Sequence, residues 1–143
     1  MSQLKTYLFL FLFFSSAIVE AQELSESELQ FAKNQYSTMM DSEIYKKYWA
    51  LLDEFITKLK DNRMPLKDDW DLWILQNWRK TEFNSPHEAT VFKEHLFAVF
   101  DQMKKENATL YEMISRANFV QRKIILAPEK DLYENTLSTR INK

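Results

Sequence analysis

A chain of 143 residues that contains no glycine has few folds open to it. Glycine is the residue that takes positive φ without steric cost, so its absence removes most of the tight hairpin turns on which antiparallel sheets depend. It also removes the glycine-rich loops that let a backbone close on a phosphate or a dinucleotide. Cysteine is absent as well. Disulfides, thiol nucleophiles, Cys-ligated zinc and iron–sulfur clusters are therefore excluded. What remains is helix held by packing, and the expectation is an all-α protein, a compact bundle of five or six helices.

The first residues have the layout of a cleavable signal peptide. Lys5 precedes an apolar run, Tyr7 to Phe14, continued by Ser15, Ser16, Ala17, Ile18 and Val19. Val19-Glu20-Ala21 then places modest or small residues three and one before the next bond, so cleavage is expected after Ala21. The 13 residues from Tyr7 to Val19 are too few for a spanning helix, which needs about 20, and no stable membrane anchor is expected after cleavage. Residues 1–21 are read as the signal peptide and 22–143 as a single helical domain, large enough for a real core. The protein is expected to be exported, periplasmic or secreted. Its formal net charge is −2, and cleavage leaves it there because Lys5 and Glu20 depart together. That balance argues against nucleic acid, whose partners carry a basic patch or stripe.

Asp68 to Phe83 holds three of the four tryptophans. At about 100° per residue, Trp70, Trp73, Ile74 and Trp78 share one helical face with Asn77 near its middle, while Leu72 and Phe83 fall opposite. A helix apolar on nearly every side is usually a central one, so this stretch is expected to organise the core. Asn77 would then be buried and in need of hydrogen-bond partners.

The remaining helices announce themselves by their caps. Ser25 and Glu28 have capping-box spacing, with Leu24 and Leu29 as a hydrophobic staple. A first helix to about Met40 would bury Leu29, Ala32, Tyr36 and Met39 or Met40. Asp41 or Ser42 can cap a second helix, Glu43 to about Lys60, whose stripe is Ile44, Tyr48, Leu51, Leu52, Phe55, Ile56 and Leu59, with Tyr45 and Trp49 at its edge. Asn62 suits a left-handed helix end, with Pro65 beyond it. Asp68 or Asp69 is expected to cap the tryptophan helix. Ser85-Pro86 with Glu88 is the strongest start signal, opening a helix that buries Ala89, Phe92, Leu96, Val99, Phe100 and Met103. Thr109 and Glu112 offer another box, so a break is placed between Glu106 and Thr109. Ala127-Pro128 is read as the end of the fifth helix, with a short sixth helix or a frayed tail beyond, using Leu132 and Leu137.

No residue set assembles recognisable catalytic chemistry, so enzymatic activity is not the expectation. His87 and His95 stand two turns apart on one helix and lack both Glu-x-x-His and His-Glu-x-x-His spacing. Asp68, Asp69 and Asp71 read as capping residues because they lack the glycine turn of a calcium loop. No metal and no cofactor are expected. Two non-catalytic functions are left. The first is binding of a protein partner, as an inhibitor, an immunity-type protein or a component of an envelope assembly. Its candidate residues are the aromatics off the main stripes, Phe31, Phe97, Tyr111 and Phe119. The alternative is a carrier of a small apolar ligand, with Trp70, Trp73, Asn77 and Trp78 as the pocket wall. Asn107-Ala108-Thr109 is the one N-glycosylation sequon, which a eukaryotic host could use if Asn107 is exposed.

Overall fold

A computed structural model describes the backbone of residues 23–60 and 69–141, and the side chains as far as Lys130. The expected signal peptide, Asn62 and Pro65, the Asp68 cap and the contacts of Leu132 and Leu137 lie outside what is described. Among the described residues every regular element is helical: α1 (Glu26–Asp41), α2 (Glu43–Leu59), α3 (Trp70–Asn77) continued by a 3-10 turn (Trp78–Lys80), α4 (Pro86–Glu106), α5 (Ala108–Arg116) and α6 (Phe119–Ile141). They gather into two compact units, Lys46–Met103 and residues 23–45 with 104–141.

In the Lys46–Met103 unit the core gathers round Phe55. Its ring centroid lies 5.6 Å from Trp70, 6.0 Å from Phe83 and 5.8 Å from Phe92, the last pair stacked. Tyr48, Leu52 and Leu59 share the buried face of α2 with it, as the spacing i, i+4, i+7, i+11 dictates. Ala89, Leu96, Val99 and Phe100 of α4 are also buried, and Tyr48 packs 5.3 Å from Phe100.

The tryptophan stretch is not the central element it was expected to be. Of α3 only Trp70 and Ile74 are buried, whereas Leu72 and Leu75 stay 49% and 60% exposed. Trp73, Asn77 and Trp78 are half-buried. The reason is that α3 stops at Asn77, after 8 residues. The chain tightens into the 3-10 turn, and Thr81 closes it, its hydroxyl donating to the Trp78 carbonyl at 2.6 Å and accepting the Phe83 N–H at 3.2 Å. That turn swings Phe83, which an uninterrupted helix would hold away from the stripe, into the core.

Lys60, with φ 56°, supplies the left-handed residue just beyond α2, two positions before the expected Asn62. Its N–H donates to the Thr57 carbonyl at 3.0 Å, and the Glu82 N–H donates to the Lys58 carbonyl at 2.7 Å, so two carbonyls in the last turn of α2 find partners. Asp69 stands at the cap of α3 but makes no side-chain capping bond. At the start of α4, Ser85 Oγ accepts the Glu88 N–H at 3.1 Å. The box is displaced by one residue, because the Glu88 carboxylate accepts from the backbone N–H and side-chain amide of Asn84, at 2.7 and 2.8 Å. Those bonds hold the Glu88 carboxyl below its usual pKa.

In the second unit α1 packs on α5 and α6. The Ser25–Glu28 capping box forms in both directions, and Leu24, Ala32, Tyr36 and Met39 are buried. Ser42 separates α1 from α2, its hydroxyl accepting the Tyr45 N–H at 3.3 Å. The chain breaks between α4 and α5 within the expected window. Asn107 is the cap, however, and it makes no side-chain capping bond; Thr109 lies inside the helix and cannot serve as the expected cap.

The largest correction concerns Pro128. The chain breaks at Ala117-Asn118, and α6 runs through Pro128. Asn118 and Gln121 form a reciprocal cap, the Gln121 N–H donating to Asn118 Oδ1 at 2.8 Å and the Asn118 N–H to Gln121 Oε1 at 3.3 Å. Arg122 closes the end of α5, donating from Nε to the Ala117 carbonyl and from Nη2 to the Ser115 carbonyl, both at 2.8 Å. Donors and acceptors freed by the break thus find partners at once. Inside α6 the proline removes a hydrogen-bond donor and crowds the preceding turn, at a cost of about 3 kcal/mol.

Candidate functional site

The first turns of α6 have two sharply different faces. Gln121, Ile125 and Glu129 recur every four residues and point inward. The Gln121 side-chain amide grips the backbone of Leu24, accepting its N–H at 3.0 Å and donating to its carbonyl at 2.8 Å. Ile125 and Glu129 are buried. Once these three face in, Phe119, Val120, Lys123, Ile124 and Ala127 must share the opposite arc, roughly 140° wide at 100° per residue. Phe119 is 62% exposed, Val120 63% and Ile124 38%. Lys123 is the charged member among these five, and its ammonium lies over the Phe119 ring, 4.3 Å from the centroid.

Behind this face lies a buried polar cluster. Glu129 is only 3% exposed. Its Oε2 accepts the Tyr36 hydroxyl of α1, and its Oε1 accepts the Tyr45 hydroxyl of α2 at 2.7 Å. Burial and then the Glu129 charge push the Tyr36 hydroxyl well above its usual pKa, and the same two causes raise Tyr111 of α5. A carboxylate closed in by phenols has little contact with solvent. It ties helices together and offers no accessible acid or base. Nearer the chain start, Arg116 donates to Glu28 at 2.8 Å. Bonds from the Ser25 backbone, then Arg116, hold the Glu28 carboxyl down at about 2.

The four off-stripe aromatics have different fates. Phe31 and Phe119 are exposed in the second unit. Tyr111 is half-buried there, drawn toward Glu129. Phe97, in the other unit, is half-buried with the Lys93 ammonium 5.8 Å from its ring. Of the expected pocket wall, Trp70 is core, with its indole N–H on Thr90 Oγ1 at 3.2 Å and its ring 5.5 Å from Trp73. Asn77 donates its amide to the Trp73 carbonyl at 2.9 Å, so its hydrogen bonding is spent on its own helix. Trp78 lies under the Arg79 guanidinium, 4.6 Å from the ring centroid. Val120 and Ile124 were missed by the sequence reading, as was Glu129. The 3.6-residue period from Phe119 onward carries the signal for the first two, but periodicity does not say whether a neighbour covers that face.

Both histidines are exposed on α4, and Asn107 is half-buried in its turn. Among the described residues no group of three His, Asp or Glu side chains is placed to hold a metal, and no helix is long and apolar enough to cross a membrane. Comparison with protein-family models, with curated proteins and with solved structures gave no match.

Proposed function

We propose that this protein is an exported, non-catalytic helical protein that binds a protein partner through the outward arc of α6. The observation that carries the reading is the contiguity of Phe119, Val120 and Ile124. Apolar side chains scattered singly over a surface are ordinary, but three exposed on one helix face are a place for another chain to cover. Fully burying side chains of this size is worth about 1.5–3 kcal/mol each, and aromatic anchors at the centre of an interface carry much of the energy of association. Lys123 lies within this face with its ammonium over the Phe119 ring, and its apolar stem can be covered while its charge reaches water.

Native mass spectrometry of the exported protein, purified gently from its own host, tests the proposal. A stoichiometric polypeptide partner is expected with the parent chain. It should be absent with Phe119→Asp/Val120→Asp, while helical content and Tm stay unchanged. A parent chain that flies as a bare monomer, or a partner that the double variant keeps, refutes the reading. An added mass of a few hundred daltons in place of a polypeptide favours the carrier of a small apolar ligand, with Trp73 and Trp78 as the residues to probe next.

A further inference from the structure

Two helices hold apolar side chains out in water, and the charges beside them differ in sign. On α3, Leu72 and Leu75 are exposed. At about 100° per residue Asp71 falls beside Leu75 on the same outward face, the three within an arc roughly 100° wide. Asp71 is exposed, as is Asp69 at the helix cap, and α3 contains no basic residue. Arg79 follows in the 3-10 turn with its guanidinium over the Trp78 ring. On α6 the arc of Phe119, Val120 and Ile124 carries Lys123, and Lys130 falls on the same side about two turns further along; both lysines are exposed. The acidic residue of this stretch, Glu129, is buried. Neither Asp71 nor Lys123 forms an ion pair with another described residue.

We propose, resting on the reading of the α6 arc as a docking face, that what covers it is a second copy of this chain, through the outward face of α3. Leu72 and Leu75 offer Phe119, Val120 and Ile124 an apolar surface, and Asp71 brings a carboxylate to Lys123 at the edge of the contact. Charge also rules out the symmetric pairings. Two α6 arcs would bring their lysines together and two α3 faces their aspartates, and like charges in register are repelled. The contact is therefore heterologous, one patch on a different patch. Each joined pair still presents an uncovered α3 face at one end and an uncovered α6 arc at the other, so association runs head to tail until it closes in a ring or extends as a filament. A lipid surface fits the arc less well, because charge-driven attachment takes clusters of about four to eight basic residues and the arc presents Lys123 and Lys130.

Sedimentation velocity and native mass spectrometry of the exported protein at rising concentration test the proposal. The parent chain should associate more as concentration rises and less as salt rises. Leu72→Asp/Leu75→Asp spoils α3 alone and Phe119→Asp/Val120→Asp spoils the α6 arc alone, so each should be monomeric with unchanged helical content and Tm. Mixed, the two should form a one-to-one pair that grows no further, since each supplies the face the other lacks. Lys123→Asp and Asp71→Lys should each weaken association by about tenfold or more, and the two in one chain should restore it to within about threefold. Self-association that survives Leu72→Asp/Leu75→Asp, or a mixture that stays monomeric, overturns the α3 assignment. A different polypeptide that copurifies and is lost with Phe119→Asp/Val120→Asp overturns it too and leaves the α6 docking face standing. A parent chain that stays monomeric with nothing bound overturns both.

Discussion

Tyr36→Phe removes one oxygen from a fully buried side chain and leaves its ring in place, so what is lost is the hydroxyl's bond to Glu129 Oε2. A hydrogen bond to a charged group contributes about 1.5–3 kcal/mol, and a buried acceptor left short of a donor keeps its desolvation cost. Tyr45 still serves Oε1 at 2.7 Å, so the carboxylate is half-satisfied rather than abandoned. The expected loss is about 1.5–3 kcal/mol, a large share of the roughly 5–15 kcal/mol a domain possesses. At about 3–5 °C per kcal/mol for a chain of this size, Tm should fall by roughly 5–15 °C. Urea denaturation at neutral pH gives the same quantity as a lower midpoint with an unchanged slope. The control is the same substitution in a Glu129→Met background, where no carboxylate awaits the donor and removing both partners comes close to neutral. A loss under about 0.5 kcal/mol for Tyr36→Phe alone, or an equal loss in both backgrounds, refutes the claim that the hydroxyl matters through Glu129.

Other perturbations test separate pieces of the structure. Lys60→Gly should stabilise by about 1 kcal/mol, because φ 56° strains a residue that bears a Cβ; a lower urea midpoint would show that Lys60 is not left-handed. Pro128→Ala should stabilise by up to about 3 kcal/mol if α6 continues through that position, and no change in melting would place a helix end there instead. The raised pKa of Tyr36 and Tyr111 means the folded state keeps protons that the unfolded chain releases near pH 10. Stability is then fully present below about 10 and falls as pH climbs past it, so urea midpoints should drop above that point and drop less steeply in Tyr36→Phe. Glu28 works at the other end. Its carboxyl titrates at about 2 when folded against 4.5 ordinarily, so its contribution is present above 4.5, is lost as pH falls toward 2, and should be reduced in part by Arg116→Met, which leaves the Ser25 backbone bond in place.

Features carried by neighbours within one helical turn were legible before any coordinates. Ser25 with Glu28, and Ser85 with Pro86, start helices because their bonds close within four residues, and the α2 face from Tyr48 to Leu59 follows from periodicity alone. Phe83 escaped because a local turn closed by Thr81 ends the tryptophan helix early. Two further elements escaped because their partners are distant in sequence: Glu129 is held by Tyr36 and Tyr45 from 93 and 84 positions away, and Gln121 finds Leu24 at a separation of 97. A local reading of Pro128 as a helix end was reasonable, but the bonds available at Asn118, Gln121 and Arg122 put the break ten residues earlier.

A glycine-free, cysteine-free chain with apolar residues at helical spacing determines by itself that its described elements are helices, because no other backbone arrangement satisfies its hydrogen bonds so locally. Which helix faces meet water was decided only by the tertiary structure. Amphipathic spacing says that a face is apolar and not whether a neighbour covers it. The tryptophan helix is half in solvent while Phe55 holds its unit's core, and the Phe119–Val120–Ile124 arc is outward because Gln121, Ile125 and Glu129 are claimed from within.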